Sequence, residues 1–254
     1  LVNTVELREE LIKSGCYSNS TTDSEMIALA IATEVKTGKS WLEAAISAFH
    51  LCQGAFSLTI ATSEGLMGVR DPQGIRPLVI GTLENINPKR YVLASETCAL
   101  DIIGAEYLRD VEPGELVWIT EKGMASFHWS QKPQRKLCIF EMIYFARPDS
   151  IMEGGSLYSY RLRIGRQLAR ESFVDADMVI GIPDSGIPAA IGFSQESGIP
   201  YAEGLIKNRY VGRTFIQPTQ HMRESGIRMK LNPLKDVLEG KRVIMVDDSI
   251  VRGN

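Results

Sequence analysis

The sequence lacks a long apolar run, a strong net charge and closely spaced cysteines. No apolar stretch among the 254 residues is long enough to span a bilayer, so we expect no membrane segment. The formal net charge is −3 and 23% of the residues are charged, which provides no electrostatic attraction for nucleic acid or an anionic membrane. We therefore expect no nucleic-acid or membrane partner.

Cysteine and histidine are also scarce. The four cysteines, Cys16, Cys52, Cys98 and Cys138, lie far apart without a C-x-x-C pair, so a disulfide framework is not expected. The three histidines show no metal-ligand spacing. Reduced thiols in a reducing compartment predict a cytoplasmic protein.

Hydrophobic periodicity predicts two domains of different construction. In residues 1–130, amphipathic helices ending near Gly15, Gly38 and Cys52 precede a hairpin and further strands, which predicts helices packed on a mostly antiparallel sheet (α+β). A polar segment at 126–136 is the expected linker. Strands and helices then alternate, which favours an α/β domain with a parallel sheet over 137–254. Its predicted strands are 137–142, 178–182, 201–205 and 243–246, with helices over 156–171 and 187–195.

Two turns at one edge of this parallel sheet are the strongest candidates for a ligand site. The apolar strand 243–246 leads directly into Asp247 and Asp248, and strand 178–182 leads into Pro183-Asp184-Ser185-Gly186. The carboxyl edge of an open α/β sheet is where ligands bind, and adjacent carboxylates suit ribose hydroxyls or Mg²⁺. A helix cap is the alternative interpretation of either turn alone.

Other candidate residues and segments can each be explained by a structural role when considered alone. Asp23 stands at a helix start, where a carboxylate often acts only as a cap. The segment 207–213 carries three cations without helix or strand periodicity, which indicates a solvated loop or a lid over phosphates. The segment 70–77 has the composition of a rigid turn held by salt bridges.

Several long segments together resemble one family. V-I-M-V-D-D-S-I-V-R-G (243–253) resembles the 5-phosphoribosyl-1-pyrophosphate (PRPP) motif of type I phosphoribosyltransferases. C-I-F-E-M-I-Y-F-A-R-P-D-S (138–150), G-L-I-K-N-R-Y-V-G-R-T-F-I-Q-P-T-Q (204–220), R-D-P-Q-G-I-R-P-L (70–78) and A-S-E-T-C-A-L (94–100) resemble glutamine PRPP amidotransferases of the Bacillus-like branch. The resemblance covers essentially the whole chain.

The resemblance implies a fold and a reaction. Residues 1–130 would form part of an N-terminal-nucleophile glutaminase domain, and residues 137–254 part of a type I phosphoribosyltransferase domain. Glutamine would release ammonia in the first, and the ammonia would attack C1 of PRPP in the second. The products would be 5-phosphoribosylamine, pyrophosphate and glutamate, in the committed step of purine synthesis. A homo-oligomer is implied as well.

The resemblance also implies roles for individual residues. Asp23 matches the acid that holds the amino group of glutamine, and Ser185, Asp247 and Asp248 match the magnesium positions. Cys138 matches a ligand of a structural [4Fe–4S] cluster, against a buried thiol as the alternative, and three further cysteines would lie beyond Asn254. The implied PRPP-binding residues are Asp184, Ser185, Gly186, Lys207, Arg209, Arg213, Asp247, Asp248, Ser249, Ile250, Val251, Arg252 and Gly253.

The departures from the family pattern predict an inactive fragment. Leu1 is not an initiator methionine, and the sequence stops at Asn254, where a phosphate-binding turn should continue into a helix. The family nucleophile is a cysteine at the mature N-terminus, and no residue here matches it, so no catalytic residue is expected in this chain. We expect the 254-residue polypeptide alone to lack both activities.

Two other functions fit the phosphoribosyltransferase motif. A PRPP-binding regulator without catalysis would carry a basic DNA-binding module, but residues 1–130 show no basic stripe. A salvage enzyme that takes a free base would need no glutaminase half, which Asp23 and the segment 70–78 argue against.

Overall fold

The computed structural model describes residues 1–83, 90–131, 133–210 and 226–250. The chain divides into two compact units, Leu1–Cys138 and Ile139–Asn254, which are described separately below. Within the described residues, every helix is too short or too polar to cross a bilayer.

The first unit begins with helices whose ends agree with the sequence prediction. Ser40 accepts a hydrogen bond from the Glu43 backbone N–H, and the Glu43 side chain accepts one from the Ser40 N–H, which forms a capping box at the start of the third helix. Buried residues on three helices share one core, among them Leu7, Met26 and Phe49. The helices are α1 (Thr4–Lys13), α2 (Asp23–Lys36), α3 (Trp41–Leu51) and, after β4, α4 (Thr97–Ile102).

Two antiparallel sheets complete the first unit. One has the strand order β1-β2-β6-β7 and the other β4-β3-β5. The predicted hairpin is the β1–β2 pair, in which Ser57 lies opposite Arg70. The strands are β1 (Ser57–Ala61), β2 (Leu66–Arg70), β3 (Val79–Leu83), β4 (Arg90–Ala94), β5 (Glu106–Asp110), β6 (Glu115–Thr120) and β7 (Gly123–His128).

The predicted linker at 126–136 is wrong in two respects. Ser126–His128 belongs to β7, because Glu115 of β6 pairs with His128 and continues the ladder to that point. Further on, the backbone N–H groups of Gln134 and Lys136 donate to Pro72 O and Gln73 O at 2.8 and 2.7 Å. Residues 134 and 136 are therefore tied to the 71–77 loop through their backbone.

That loop is held by hydrogen bonds to backbone groups. Buried Arg70 donates to the carbonyls of Gly74, Arg76 and Val111 at 2.7–2.8 Å. Buried Asp71 accepts from the backbone N–H groups of Phe56, Gln73 and Ile75. Because both charged side chains satisfy backbone groups, the segment is a rigid support for the sheet.

The second unit contains the predicted parallel strand pair. β10 (Met178–Gly181) and β13 (Val243–Val246) run parallel with Met178 opposite Val243. Helices α5 (Leu157–Glu171) and α6 (Ile187–Ser197) pack closely, since a Cβ on Gly165 would lie 1.9 Å from Ala189 O. The remaining elements are β8 (Ile151–Met152), β9 (Gly155–Ser156), β11 (Leu205–Lys207), α7 (226–230), β12 (Leu231–Pro233) and α8 (Lys235–Leu238).

Two predicted strands of this unit are wrong. Residues 137–142 form no strand, because the chain turns into a short π-helical segment at Glu141–Phe145 that buries Glu141. Of 201–205, Tyr201 makes a single parallel bridge to Val179, and Leu205 begins β11, which pairs antiparallel with β12. Local β-propensity did not reveal these pairings, because partner strands decide them.

Candidate functional site

The parallel register brings the two predicted turns to the same sheet edge. Gly181 lies opposite Val246, and the Ile182 N–H donates to Val246 O at 2.9 Å, so β10 and β13 end together. The residues that follow each strand, Pro183 to Gly186 and Asp247 to Ser249, are therefore neighbours. The Pro183–Asp184 peptide bond is cis.

A hydroxyl–carboxylate contact joins the two turns. Ser185 Oγ donates to Asp248 Oδ2 at 2.5 Å, although the two residues are 63 positions apart in sequence. Ser249 Oγ donates to Asp248 Oδ1 at 2.5 Å, and the Asp248 N–H donates to Asp247 Oδ1 at 2.8 Å. A Cβ on Gly186 would lie 2.5 Å from Val246 O, so this close approach requires glycine.

Two adjacent carboxyl groups, Asp247 and Asp248, follow β13. Partial burial of the carboxylate raises the pKa of Asp247, and the charge of neighbouring Asp248 raises it further. A bound cation would stabilise both ionised carboxylates. The oxygen donors of Ser185, Asp247 and Asp248 are of the type that Mg²⁺ prefers.

The basic segment places one cation at this edge. Lys207 Nζ forms an ion pair with Asp184 Oδ2, and the Asp184 side chain is 75% exposed. Lys207 lies in β11, so the prediction of an irregular loop from 207 is wrong at this residue, because β12 supplies a pairing partner. Arg209 is exposed just after the strand.

The remaining predicted PRPP-binding residues add little to this geometry. Ile250 directly follows Ser249, and its side chain is 92% exposed. Arg213 and the three residues Val251, Arg252 and Gly253 lie outside the described residues.

Asp23 belongs to the first unit and is not the N-cap residue. Thr22 occupies the N-cap position of α2, and Asp23 is the first helical residue. The Asp23 carboxylate accepts a hydrogen bond at Oδ2 from the Leu1 α-ammonium. At Oδ1 it accepts one from Thr4 Oγ1, with an O–O distance of 2.6 Å. The hydrogen bonds from the ammonium and from Thr4 lower the pKa of Asp23.

Sequence reasoning missed two residues near Asp23. Thr4 lies 19 positions away, so only the packing of α1 beside α2 reveals its contact. Glu25 accepts from the backbone N–H groups of Asn19 and Ser20 at 2.9 and 2.8 Å and from the Ser18 and Ser20 hydroxyls. These hydrogen bonds, led by that from the Ser20 side chain, lower the pKa of Glu25 to about 2. In the sequence, the run of polar residues before α2 could have indicated a loop whose hydrogen bonds converge on Glu25.

Cys138 is half-buried, and its N–H donates to Ile75 O at 3.2 Å. Across the part of the chain that the structure describes, no group of three or more His, Cys, Asp or Glu side chains could hold a metal ion. Cys138 is thus a single candidate ligand for a cluster.

Comparison with known proteins agrees with the resemblance seen in the sequence. Residues 1–101 match the model of a glutamine amidotransferase domain family. Over 254 residues the chain is 72% identical to the amidophosphoribosyltransferase of Synechocystis sp. and covers 51% of that protein. It is 48% identical to the Bacillus subtilis amidophosphoribosyltransferase and covers 52% of it.

A solved structure shares the fold of the chain. This is the glutamine PRPP amidotransferase from B. subtilis complexed with ADP and GMP, with a TM-score of 0.88 and 47% sequence identity. The match covers all of this chain and 54% of that one. The chain spans about half the length of the curated relatives it matches. The predicted resemblance to glutamine PRPP amidotransferases, with a partial glutaminase fold followed by a partial phosphoribosyltransferase fold, is confirmed.

Proposed function

We propose that the protein is an amidophosphoribosyltransferase, a glutamine-dependent glycosyltransferase that makes 5-phosphoribosylamine from PRPP and glutamine. The observation that carries the proposal is the Ser185–Asp248 hydrogen bond, which unites two turns at the carboxyl edge of a parallel sheet. Similarity to amidophosphoribosyltransferases over the whole of this chain supports the same function. Residues 1–130 are assigned to the glutaminase domain and 137–254 to the phosphoribosyltransferase domain.

At the phosphoribosyl site, the acid pair would bind the sugar and the metal. Asp247 and Asp248 would accept hydrogen bonds from the ribose hydroxyls, and with Ser185 they would hold Mg²⁺ through oxygen donors. There the cation would supply positive charge to offset that of the pyrophosphate. The Asp184–Gly186 turn and the cations Lys207, Arg209 and Arg213 bind the pyrophosphate, while 249–253 binds the 5′-phosphate.

At the glutamine site, Asp23 would orient the amino acid. Its carboxylate would accept a hydrogen bond from the α-ammonium of glutamine. Ammonia released from the glutamine side chain then attacks C1 of PRPP, and pyrophosphate leaves. The geometry supports binding and orientation by Asp23, and the hydrolysis itself requires a nucleophile of the family type.

Three further properties belong to the proposal. Cys138 would donate one thiolate to a [4Fe–4S] cluster, and because the described residues supply no other ligand group, we derive no step through the cluster. The protein would act in the cytoplasm and as a homo-oligomer, as the resemblance implies.

The test uses the protein encoded by the complete reading frame. With PRPP and Mg²⁺, either glutamine or ammonia should yield pyrophosphate and phosphoribosylamine, and glutamine alone should yield glutamate. Chelation of Mg²⁺ should abolish product formation from both nitrogen sources. Binding of PRPP without formation of any product would instead indicate a regulatory PRPP-binding protein.

A further inference from the structure

We propose that Thr4 is a positioning residue that fixes the Asp23 carboxylate for the α-ammonium of the amino-acid substrate. This inference rests on the proposed function. It adds a second residue to the glutamine site, contributed by a different helix. The observation behind it is the 2.6 Å hydrogen bond from Thr4 Oγ1 to Asp23 Oδ1.

The hydrogen bond from Thr4 to Asp23 connects the starts of two helices, α1 and α2. Thr4 is the first residue of α1, and Asn3 is the N-cap residue of that helix. The other oxygen near the Thr4 hydroxyl is Leu1 O, at 3.3 Å, so the shorter contact to the carboxylate takes the single hydroxyl proton. A hydroxyl donor to an ionised carboxylate is among the stronger hydrogen bonds in proteins.

The Thr4 hydroxyl occupies one of the two carboxylate oxygens of Asp23, Oδ1. The Asp23 side chain is 47% exposed, which leaves it accessible to a ligand. By occupying Oδ1, Thr4 restricts rotation of the carboxylate and presents Oδ2 to the incoming cation.

Hydrophobic packing holds the two helices that carry Thr4 and Asp23. Leu7 and Leu11 of α1 and Met26 and Ile27 of α2 are buried in one core cluster. The starts of the two helices are therefore held in place by packing, independently of the Thr4 hydroxyl. Removing the hydroxyl should alter the orientation of Asp23 with little effect on the fold.

The experiment compares variants of the protein made from its complete reading frame. Thr4→Val should raise the KM for glutamine about tenfold with kcat changed less than about twofold, because the lost interaction acts in substrate binding. Thr4→Ser keeps the hydroxyl and should stay within about twofold of the wild type in KM. Ammonia-dependent synthesis of phosphoribosylamine should be unchanged in both variants.

Thr33→Val is the matched control, because the Thr33 hydroxyl donates to Leu29 O within α2 and does not contact Asp23. It should leave the KM for glutamine unchanged. An unchanged KM in Thr4→Val, or equal losses in Thr4→Val and Thr4→Ser, would overturn the role of the hydroxyl.

Asp23→Asn separates this inference from the proposed function. It should raise the KM for glutamine about 100-fold or more, since the charge itself is lost. If Asp23→Asn has this effect and Thr4→Val has none, only the role of Thr4 fails. If the wild type hydrolyses no glutamine, or Asp23→Asn changes nothing, the glutamine site fails and the role of Thr4 fails with it.

Discussion

The pKa of a carboxyl group is shifted in opposite directions in the two candidate sites. In the first unit, hydrogen bonds from the Leu1 α-ammonium and from the Thr4 hydroxyl lower the pKa of Asp23. In the second unit, partial burial and the adjacent charge of Asp248 raise the pKa of Asp247. Hydrogen bonding thus favours the ionised form of Asp23, whereas partial burial disfavours that of Asp247. Under the proposed function, the first carboxylate would bind the ammonium group of a substrate and the second a metal cation.

The sites also differ in how the chain assembles them. Asp23 and Thr4 come from consecutive helices and are 19 positions apart. Ser185 and Asp248 are 63 positions apart and meet only because β10 and β13 pair in parallel. The second site should therefore depend more strongly on the tertiary structure around it.

The largest expected effect comes from Asp248→Asn. Loss of this charge should lower kcat/KM for PRPP about 100-fold or more with both glutamine and ammonia, because both reactions use the acid pair. Asp23→Asn should lower only the glutamine-dependent rate. Steady-state assays with each nitrogen source measure both effects.

Asp177→Asn is the control for Asp248→Asn. Asp177 forms an ion pair with Arg242 just before β10, at the end of the strand away from the two turns. The substitution Asp177→Asn should therefore leave kcat/KM for PRPP unchanged. If Asp248→Asn reduced only the glutamine-dependent rate, the separation of the two sites would be wrong.

A smaller effect is expected on stability from Asp247→Asn. A carboxyl group whose pKa is raised on folding opposes folding when ionised, so at pH 7 this variant should have a higher Tm, by about 1–2 °C given solvent screening. The advantage should disappear as the pH falls through the raised pKa and the wild-type carboxyl is protonated.

Scanning calorimetry at several pH values without Mg²⁺ measures this difference. Asp177→Asn should shift Tm in the opposite direction at pH 7, because the hydrogen bond from the Arg242 side chain lowers the pKa of Asp177. Added Mg²⁺ should raise the Tm of the wild type more than that of Asp247→Asn. A lower Tm for Asp247→Asn at pH 7 would contradict a folded structure that disfavours the ionised form of Asp247.

The smallest effect is local and concerns the loop before Asp23. Glu25 has its pKa lowered to about 2 by donors from Ser18, Asn19 and Ser20. The loop should keep these hydrogen bonds above pH 4.5 and lose them as the pH falls through about 2. The amide NMR signals of Asn19 and Ser20 should titrate with this midpoint in the wild type and not in Glu25→Gln. A wild-type midpoint near 4.5 would show that the carboxylate does not organise the loop.

Local sequence determined much of the fold. The Ser40–Glu43 capping box, the ends of α2 and the strand Val243–Val246 follow from cap residues and periodicity, which depend on neighbours within a few positions. The motifs were sufficient to predict the family resemblance and the acid pair at the sheet edge.

Other features could not be predicted in this way. The apolar run at 137–142 resembles a strand, but Glu141–Phe145 is π-helical, because no neighbouring strand pairs with it among the described residues. Lys207 lies in a strand because β12 pairs with it.

The partners of the candidate site residues were likewise decided by tertiary structure. The sequence by itself determined that Asp23, Ser185 and Asp248 stand at the ends of helices and strands. Only the packing of α1 beside α2 placed Thr4 on Asp23, and only the parallel pairing of β10 with β13 placed Ser185 on Asp248. The physical reason is that side-chain hydrogen bonds require an approach within about 3 Å, which local sequence pattern does not specify between distant segments.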